Sequence, residues 1–142
     1  MELNVLTKTG LIGYPLGHSL SPQMHNASFK ELELGFNYKA IEVKPEDLET
    51  TVERLKQENF KGFNVTIPYK IDVMQYLDKI TKDAELIGAV NTVVNEAGEL
   101  VGYNTDGAGF ICSCKEQEID FVNKKILVIG AGGASRAVTF SL

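Results

Sequence analysis

Hydrophobic and polar positions change period several times along this 142-residue chain, and each change marks an element. Leu11-Ile12, bounded by Gly10 and Gly13 and halted by Pro15, reads as a short strand. Ser21-Pro22 then opens a helix, because serine suits the N-cap and proline the first helical position. Met24, Ala27, Phe29 and Leu32 give that helix an apolar side, and Gly35 is a natural stop. Phe36 to Val43 alternates as a second strand through Tyr38, Ala40, Ile41 and Val43. Pro45-Glu46-Asp47 begins the next helix with acid in its first turn, where the macrodipole favours it. Leu48, Val52 and Leu55 repeat at spacings suited to one helical face lying on a sheet.

Further along, Phe63, Val65 and Ile67 alternate with Asn64 and Thr66, so a strand here buries one set and turns an amide and a hydroxyl the other way. Pro68 cannot donate to a ladder, which ends the strand and delivers Lys70 just past its carboxyl end. Open α/β sheets bind ligands at that rim. Ile71 to Leu77 reads as a short helix or turn, and Thr81 to Ile87 as a helix capped by Thr81 and closed by Gly88. Ala89 to Val94 runs into a strand, Asn95 to Glu99 is a hairpin loop, and Leu100-Val101 is the returning strand, which ends at Tyr103-Asn104-Thr105-Asp106-Gly107. Asp106 starts a helix running toward Lys115. After a polar connection from Asp120 to Lys125, the wholly apolar run Ile126-Leu127-Val128-Ile129 is typical of a parallel strand buried on both faces. These elements predict an α/β fold, a three-layer α/β/α sandwich with a mostly parallel sheet, followed by an incomplete strand–helix unit.

Composition narrows the function. Net charge is −5 and no basic stripe offsets it, which argues against nucleic acid as a partner. No apolar run approaches the roughly 20 residues of a membrane span, and the N-terminus lacks the pattern of a signal peptide, so a cytoplasmic chain is expected. Cys112 and Cys114 fall on opposite sides of a helix and read as packing residues; His18 and His25 are the only histidines, and no metal site is expected.

Four features carry chemistry, each with a plainer alternative. Ser19 and Ser21 place hydroxyl donors beside the free N–H groups of a helix start, a combination that holds a carboxylate; simple capping would also explain Ser21. Lys70 and Asp106 each follow a strand's end. If those strands are neighbours, an amine and a carboxylate meet over one pocket and each shifts the other's proton affinity, as acid/base pairs do; a solvated lysine and an N-capping aspartate are the alternatives. Asn91 can offer both a donor and an acceptor to a hydroxyl, or can cap a turn. Gly130-Ala131-Gly132-Gly133-Ala134-Ser135-Arg136-Ala137, between an apolar run and a helix, has the context of a dinucleotide fingerprint, although Ser135 stands at the strict pattern's third glycine and a tight turn would look similar.

Five blocks in order, Gly13 to Pro22, Asn64 to Lys70, Gly88 to Thr92, Asn104 to Gly107 and Gly130 to Ala137, closely resemble shikimate dehydrogenases over the whole chain. The resemblance implies reversible NADPH-dependent reduction of 3-dehydroshikimate to shikimate on the route to chorismate and the aromatic amino acids. It assigns the substrate carboxylate to Ser19 and Ser21 and the ring hydroxyls to Asn64, Thr66, Asn91 and Asp106. Lys70 becomes the catalytic acid/base, also in contact with substrate and paired with Asp106. The cofactor's phosphate turn falls on Gly130, Ala131, Gly132, Gly133 and Ala134, and the missing third glycine is normal for the family.

The implied organisation is a shikimate-binding domain over 1-107, a connecting helix and linker over 108-123, and the first strand and helix start of an NADP-binding Rossmann domain over 124-142. Because the chain stops a few residues into that helix, it reads as a truncated form in which firm NADP binding and turnover are not expected. Lys124 to Leu142 would then pair with another copy of the chain or lack fixed order. A quinate/shikimate or aminoshikimate dehydrogenase relative shares the same blocks, and a non-catalytic shikimate-binding module is the alternative of a different class.

Overall fold

The structure is a computed structural model and describes residues 6–142. Residues 1–5, the start of the first expected domain, lie outside the described residues. Six strands form one sheet in the order β2-β1-β3-β5-β6-β4. Strand β1 (Thr7–Gly13) lies between β2 (Phe36–Glu42) and β3 (Gly62–Val65) and is parallel to both. Past β3 the sheet changes direction. β5 (Thr92–Glu96) is antiparallel to β3, β6 (Glu99–Tyr103) is antiparallel to β5, and the two-residue β4 (Lys79–Ile80) returns parallel to β6. Parallel pairing therefore holds at three of five junctions.

The hairpin joining β5 and β6 is the predicted one. Ala97 and Gly98 both have positive φ, 55° and 98°, as a two-residue turn matched to strand twist requires. Asn95 Oδ1 accepts the Gly98 N–H at 2.8 Å.

Register fixes which residues share a face. Leu11 lies opposite Ala40 and Asn64, and Asn64 opposite Thr92; Ile12 lies opposite Ile41 and Val65. The Ile12 face carries the main core, in which Phe63, Val65, Val93 and Leu100 pack with Leu48, Val52 and Leu55 of helix α2 (Leu48–Gln57). The opposite face is covered at one end by α1 (Ser21–Glu31), whose Phe29 packs against Leu11, Leu16 and Tyr38. Asn26 fastens α1 to the edge strand: its amide donates to Tyr38 O and accepts from Tyr38 N–H, both at 2.8 Å. Two of the edge strand's free backbone groups are thereby satisfied. Helices on both faces give the expected three layers.

Several expectations need correction. Ile67 is not a core residue: β3 ends at Val65, and Ile67 is 73% exposed because the chain has already turned toward Pro68. The first helix starts one residue early, with Leu20 at the N-cap and Ser21 inside, so Ser21 does not cap it; Met24 and Leu32 are exposed. Likewise Thr105, not Asp106, holds the N-cap position of α4 (Asp106–Glu116), and Thr81 sits at the N-cap of α3 (Lys82–Ile87) but gives its hydroxyl to Gly102 O. Of the two cysteines only Cys114 packs; Cys112 is exposed. Pro45–Asp47 is a 3-10 turn leading into α2 in place of its first turn, whereas Asp72–Tyr76 is a 3-10 turn as the expected short helix or turn allows.

The largest difference lies near the C-terminus. Ile126 to Ile129 forms no strand; Leu127 is 84% and Ile129 90% exposed. An apolar run becomes a strand only beside a hydrogen-bonding neighbour, and none of the six strands offers it one. The following helix, α5 (Gly133–Ser141), is docked all the same. Ala137 is fully buried with Ile87 and Ala89, and α5 lies against α3 and α4, so the segment 124–142 is not uniformly without support.

Candidate active site

The site assembles where β3, β5 and β6 end or begin along one rim. Lys70 follows β3 by five residues, in a turn held by two backbone bonds: Tyr69 N–H to Thr66 O at 2.9 Å and Val90 N–H to Lys70 O at 2.7 Å. Tyr69 is buried and its hydroxyl donates to Val43 O at 2.5 Å, which fixes the residue beside the lysine. Asp106 is the first residue of α4, and its N–H is bound by Asn104 Oδ1 at 3.0 Å. Asn104 also donates to Ala89 O at 2.9 Å, so one side chain ties the start of α4 to the loop before β5.

From these positions Lys70 Nζ donates to Asp106 Oδ2. The two side chains are 17% and 25% exposed, enclosed enough for strong attraction while still reachable from solvent. Asp106 Oδ1 accepts from Asn91 Nδ2 at 2.8 Å, and Asn91 Oδ1 accepts from Thr92 Oγ1 and from Thr105 N–H, both at 2.9 Å. Asn64 Nδ2 donates to Thr92 Oγ1 at 3.1 Å, and Tyr38 OH donates to Asn64 Oδ1 at 2.7 Å. A continuous hydrogen-bonded chain therefore runs Tyr38, Asn64, Thr92, Asn91, Asp106, Lys70, across the sheet from β2 to β5 and out to the rim. Burial pushes the Tyr38 hydroxyl up to about 12, so it is a fixed donor at neutral pH. Such a chain holds each amide and carboxylate in one orientation before any ligand arrives.

Ser19 and Ser21 face the same rim from the other side of Thr66. Together with Tyr14, His18, Thr66 and Ile67 they line a cleft of 450 Å³. Thr66 and Ile67 also border a second cleft of 550 Å³, which contains Lys70 and the glycines of the turn before α5. Ser19, Ser21, Thr66 and Lys70 thus border two adjoining clefts, with Asp106 and then Asn91 bonded behind the lysine; Asn64, joined to them through Thr92, lines a separate cleft with Thr9, His25 and Tyr38. Glu42 holds the loop in place by accepting the Leu16 N–H at 2.8 Å, and Ser19 Oγ lies 3.4 Å from the Ser21 N–H.

The turn from Gly130 to Ala134 fits a dinucleotide phosphate group. Gly130 has a φ of 115°, a conformation that favours glycine, and a methyl on Gly130 or Gly132 would meet nothing within 4 Å, so the turn stands open. The first N–H groups of α5 have no partners within the helix and offer themselves to an anion. Among the described residues no group of three or more His, Cys, Asp or Glu is arranged to hold a metal ion.

Residues 11–93 match the shikimate dehydrogenase substrate binding domain. The chain belongs to the shikimate dehydrogenase family. Over 143 aligned residues it is 53% identical to the NADP(+) shikimate dehydrogenase of Carboxydothermus hydrogenoformans, an alignment covering 100% of this chain and 51% of that protein. The chain thus spans about half the length of the curated relatives it matches. Among solved structures, the shikimate 5-dehydrogenase of Thermus thermophilus in complex with NADP(H) and shikimate superposes with a TM-score of 0.89 at 38% identity, over 96% of this chain and 51% of that one. A ligand-free 5-ketofructose reductase of Gluconobacter sp. strain CHM43 superposes with a TM-score of 0.84 at 35% identity, over 95% of this chain and 48% of that one. A shared shikimate dehydrogenase fold does not by itself fix the substrate.

Sequence reasoning missed four members of the site. Asn104, Thr105 and Thr92 stand inside blocks already singled out, where their neighbours drew the attention. Tyr38 had no signal beyond a place in an alternating strand; its role comes from β1 lying between β2 and β3, which sets Tyr38 and Asn64 on one face.

Proposed function

We propose that this chain is the substrate half of an NADP-dependent shikimate dehydrogenase and binds shikimate or 3-dehydroshikimate at the rim just described. The observation that carries the reading is the Lys70–Asp106 pair, formed by residues distant in sequence and completed by Asn91. Ser19 and Ser21 take the carboxylate, and Asn64, Thr66, Asn91 and Asp106 take ring hydroxyls. The turn from Gly130 to Ala134 would hold the cofactor's phosphates in a full two-domain enzyme, where NADPH would supply the hydride or its oxidised form accept it. Lys70, as an ammonium, polarises the carbonyl oxygen of 3-dehydroshikimate and gives it a proton during reduction; in the other direction its amine takes the hydroxyl proton. Asp106 fixes the amine by accepting its hydrogen bond, and Asn91 fixes Asp106.

The same reading divides the chain at 1-107, 108-123 and 124-142 and places it in the cytoplasm as a small-molecule enzyme without nucleic-acid or membrane partners. The structure contributes one coarser fact to that placement: no described helix is long and apolar enough to cross a membrane. The exposed apolar side chains Val122, Leu127 and Ile129 support self-association near the C-terminus.

Titrating the chain with shikimate, quinate and 5-ketofructose, by calorimetry or amide NMR, tests the reading. Saturable binding of shikimate that Lys70→Ala abolishes is the expected result. Equal binding by Lys70→Ala, or preference for either competitor, would overturn it.

A further inference from the structure

The turn that takes the cofactor's phosphates touches the lysine of the substrate site. A methyl group placed on Gly133 would lie 2.9 Å from Lys70 Cβ, 3.2 Å from its Cδ and 3.3 Å from Ala89 Cβ, so the first residue of α5 rests directly on the lysine's stem. We propose that Gly133 is a positioning residue for Lys70, holding its amine on Asp106 before any cofactor binds. The proposal rests on the reading of Lys70 as part of the shikimate site, and it gives a residue of the phosphate turn a second role, in the substrate half.

Neither side of this contact is free to retreat. Lys70 is fixed at its carbonyl by the Val90 N–H, at its preceding residue by the buried Tyr69, and at its tip by Asp106. Helix α5 is held one turn further on by Ala137, fully buried beside Ile87 and Ala89. A methyl on Gly107 would sit 2.7 Å from Ala137 O, so α4 and α5 already approach as closely as a glycine allows. Arg136 adds a longer tie, its Nη1 donating to Gly88 O at 3.4 Å. A methyl at position 133 must therefore displace either the stem of Lys70 or the whole helix. Gly109, on the exposed side of α4, also has open space where its methyl would go and belongs to neither cleft. The two glycines separate the effect on the lysine from that of an added methyl elsewhere.

The experiment compares the parent chain, Gly133→Ala and Gly109→Ala without cofactor, by shikimate titration and by the rate at which an amine-acylating reagent modifies Lys70 relative to exposed Lys82, read by peptide mass spectrometry. Expected for Gly133→Ala is a loss of shikimate affinity of about tenfold, because a lysine moved from its preorganised position weakens its contact with the ligand, together with faster acylation of Lys70. Gly109→Ala should match the parent in both. Parent-like affinity and acylation in Gly133→Ala, or equal losses in the two variants, would overturn the proposal. If the parent does not bind shikimate, the proposed function fails, and the acylation ratio still decides whether Gly133 holds the lysine. Should Gly133→Ala not fold by circular dichroism, Ala137→Gly, which loosens α5 without adding volume, replaces it. Faster Lys70 acylation is then expected, and an unchanged ratio overturns the inference.

Discussion

Two stretches of this chain carry large apolar side chains and have opposite fates, and the wholly apolar one is the one left in water. Ile12 and its partners across β1, β3 and β5 are buried, whereas Leu127 and Ile129 stand almost wholly in water. The difference lies in the surroundings. Around Ile12, strands on either side satisfy the backbone and α2 supplies a covering face; the run at 126–129 has neither among the described residues. Burial of a hydrophobic run is thus a property of its neighbours, and the site inherits the contrast. The rim that carries Lys70 and Asp106 grows from the buried sheet, while the glycine turn follows the exposed run and is anchored from behind by α5.

Removing side chains on the two sides should break this comparison open with the largest effect. Ile12→Ala is expected to cost about 2–5 kcal/mol of stability, because a fully buried isoleucine leaves a cavity. Leu127→Ala, a deletion of the same kind, should stay within about 0.5 kcal/mol at dilutions where the chain is monomeric. Urea denaturation of the two variants measures both. A cost above about 1 kcal/mol for Leu127→Ala would mean that the run is covered in solution, by a second copy or otherwise.

Next in size is the ion pair, where the two members are not equivalent. Asp106→Ala strips Lys70 of its anion and leaves Asn91 Nδ2 with only Thr105 Oγ1. Lys70→Ala leaves Asp106 still bonded to Asn91 and partly in water. Partial exposure reduces the penalty below that of a fully buried pair, so about 1–2 kcal/mol is expected for Asp106→Ala and less for Lys70→Ala. Both should lose shikimate binding. Equal stabilities in thermal unfolding would show that Asn91 does not support the carboxylate.

How much of this was legible beforehand follows the same division. The strand carrying Asn64, the hairpin at Ala97-Gly98 and the amphipathic α2 could be read, since local period and turn chemistry agreed with the final sheet; the meeting of Lys70 with Asp106 was expected if their strands were neighbours, and it forms although β5 lies between β3 and β6. Local signals also misled. Ile67 continues the alternation of Phe63 and Val65, yet the sheet ends first; the run from Ile126 has the composition of a buried strand and, among the described residues, no strand to join. Tyr38, two strands away from Asn64, and Gly133, packed on Lys70, were beyond reach because only the order β2-β1-β3 and the docking of α5 bring them there.

A smaller effect sharpens the rim's dependence on the sheet. Tyr38→Phe removes the donor to Asn64 Oδ1 while keeping the ring on α1, where it stacks with His25 at 4.2 Å. About 1 kcal/mol of stability and a several-fold loss of shikimate affinity are expected, the latter because Asn64 is freed to rotate. The raised value of Tyr38, about 12, gives an alkaline signature. Stability from its neutral hydroxyl is complete below the ordinary tyrosine value of 10.0 and fades as pH rises from there through about 12. Tyr38→Phe should therefore lose less stability than the parent over that interval. Identical alkaline profiles would place Tyr38 in water instead.

The smallest effect lies at the sheet's far edge, where polar contacts tie the start of β4 to α2 and β6. Asp78 precedes β4; its Oδ2 accepts from Lys56 Nζ and from the Leu100 N–H, each at 2.7 Å. Those two donors, Lys56 first, hold its carboxyl below the ordinary value of 3.8 despite some opposing desolvation. A depressed carboxyl stabilises the fold above its ordinary value, and that contribution disappears as pH falls below 3.8 through the folded-state value. With the side chain 38% exposed, solvent screening keeps the contribution under about 1 kcal/mol. Asp78→Asn should accordingly melt slightly lower than the parent at about pH 6, and the two melting curves should converge by about pH 3. A gap that persists unchanged into acid would assign the effect to the neutral hydrogen bond with Leu100. The edge would then be held, like the core, by geometry in place of charge.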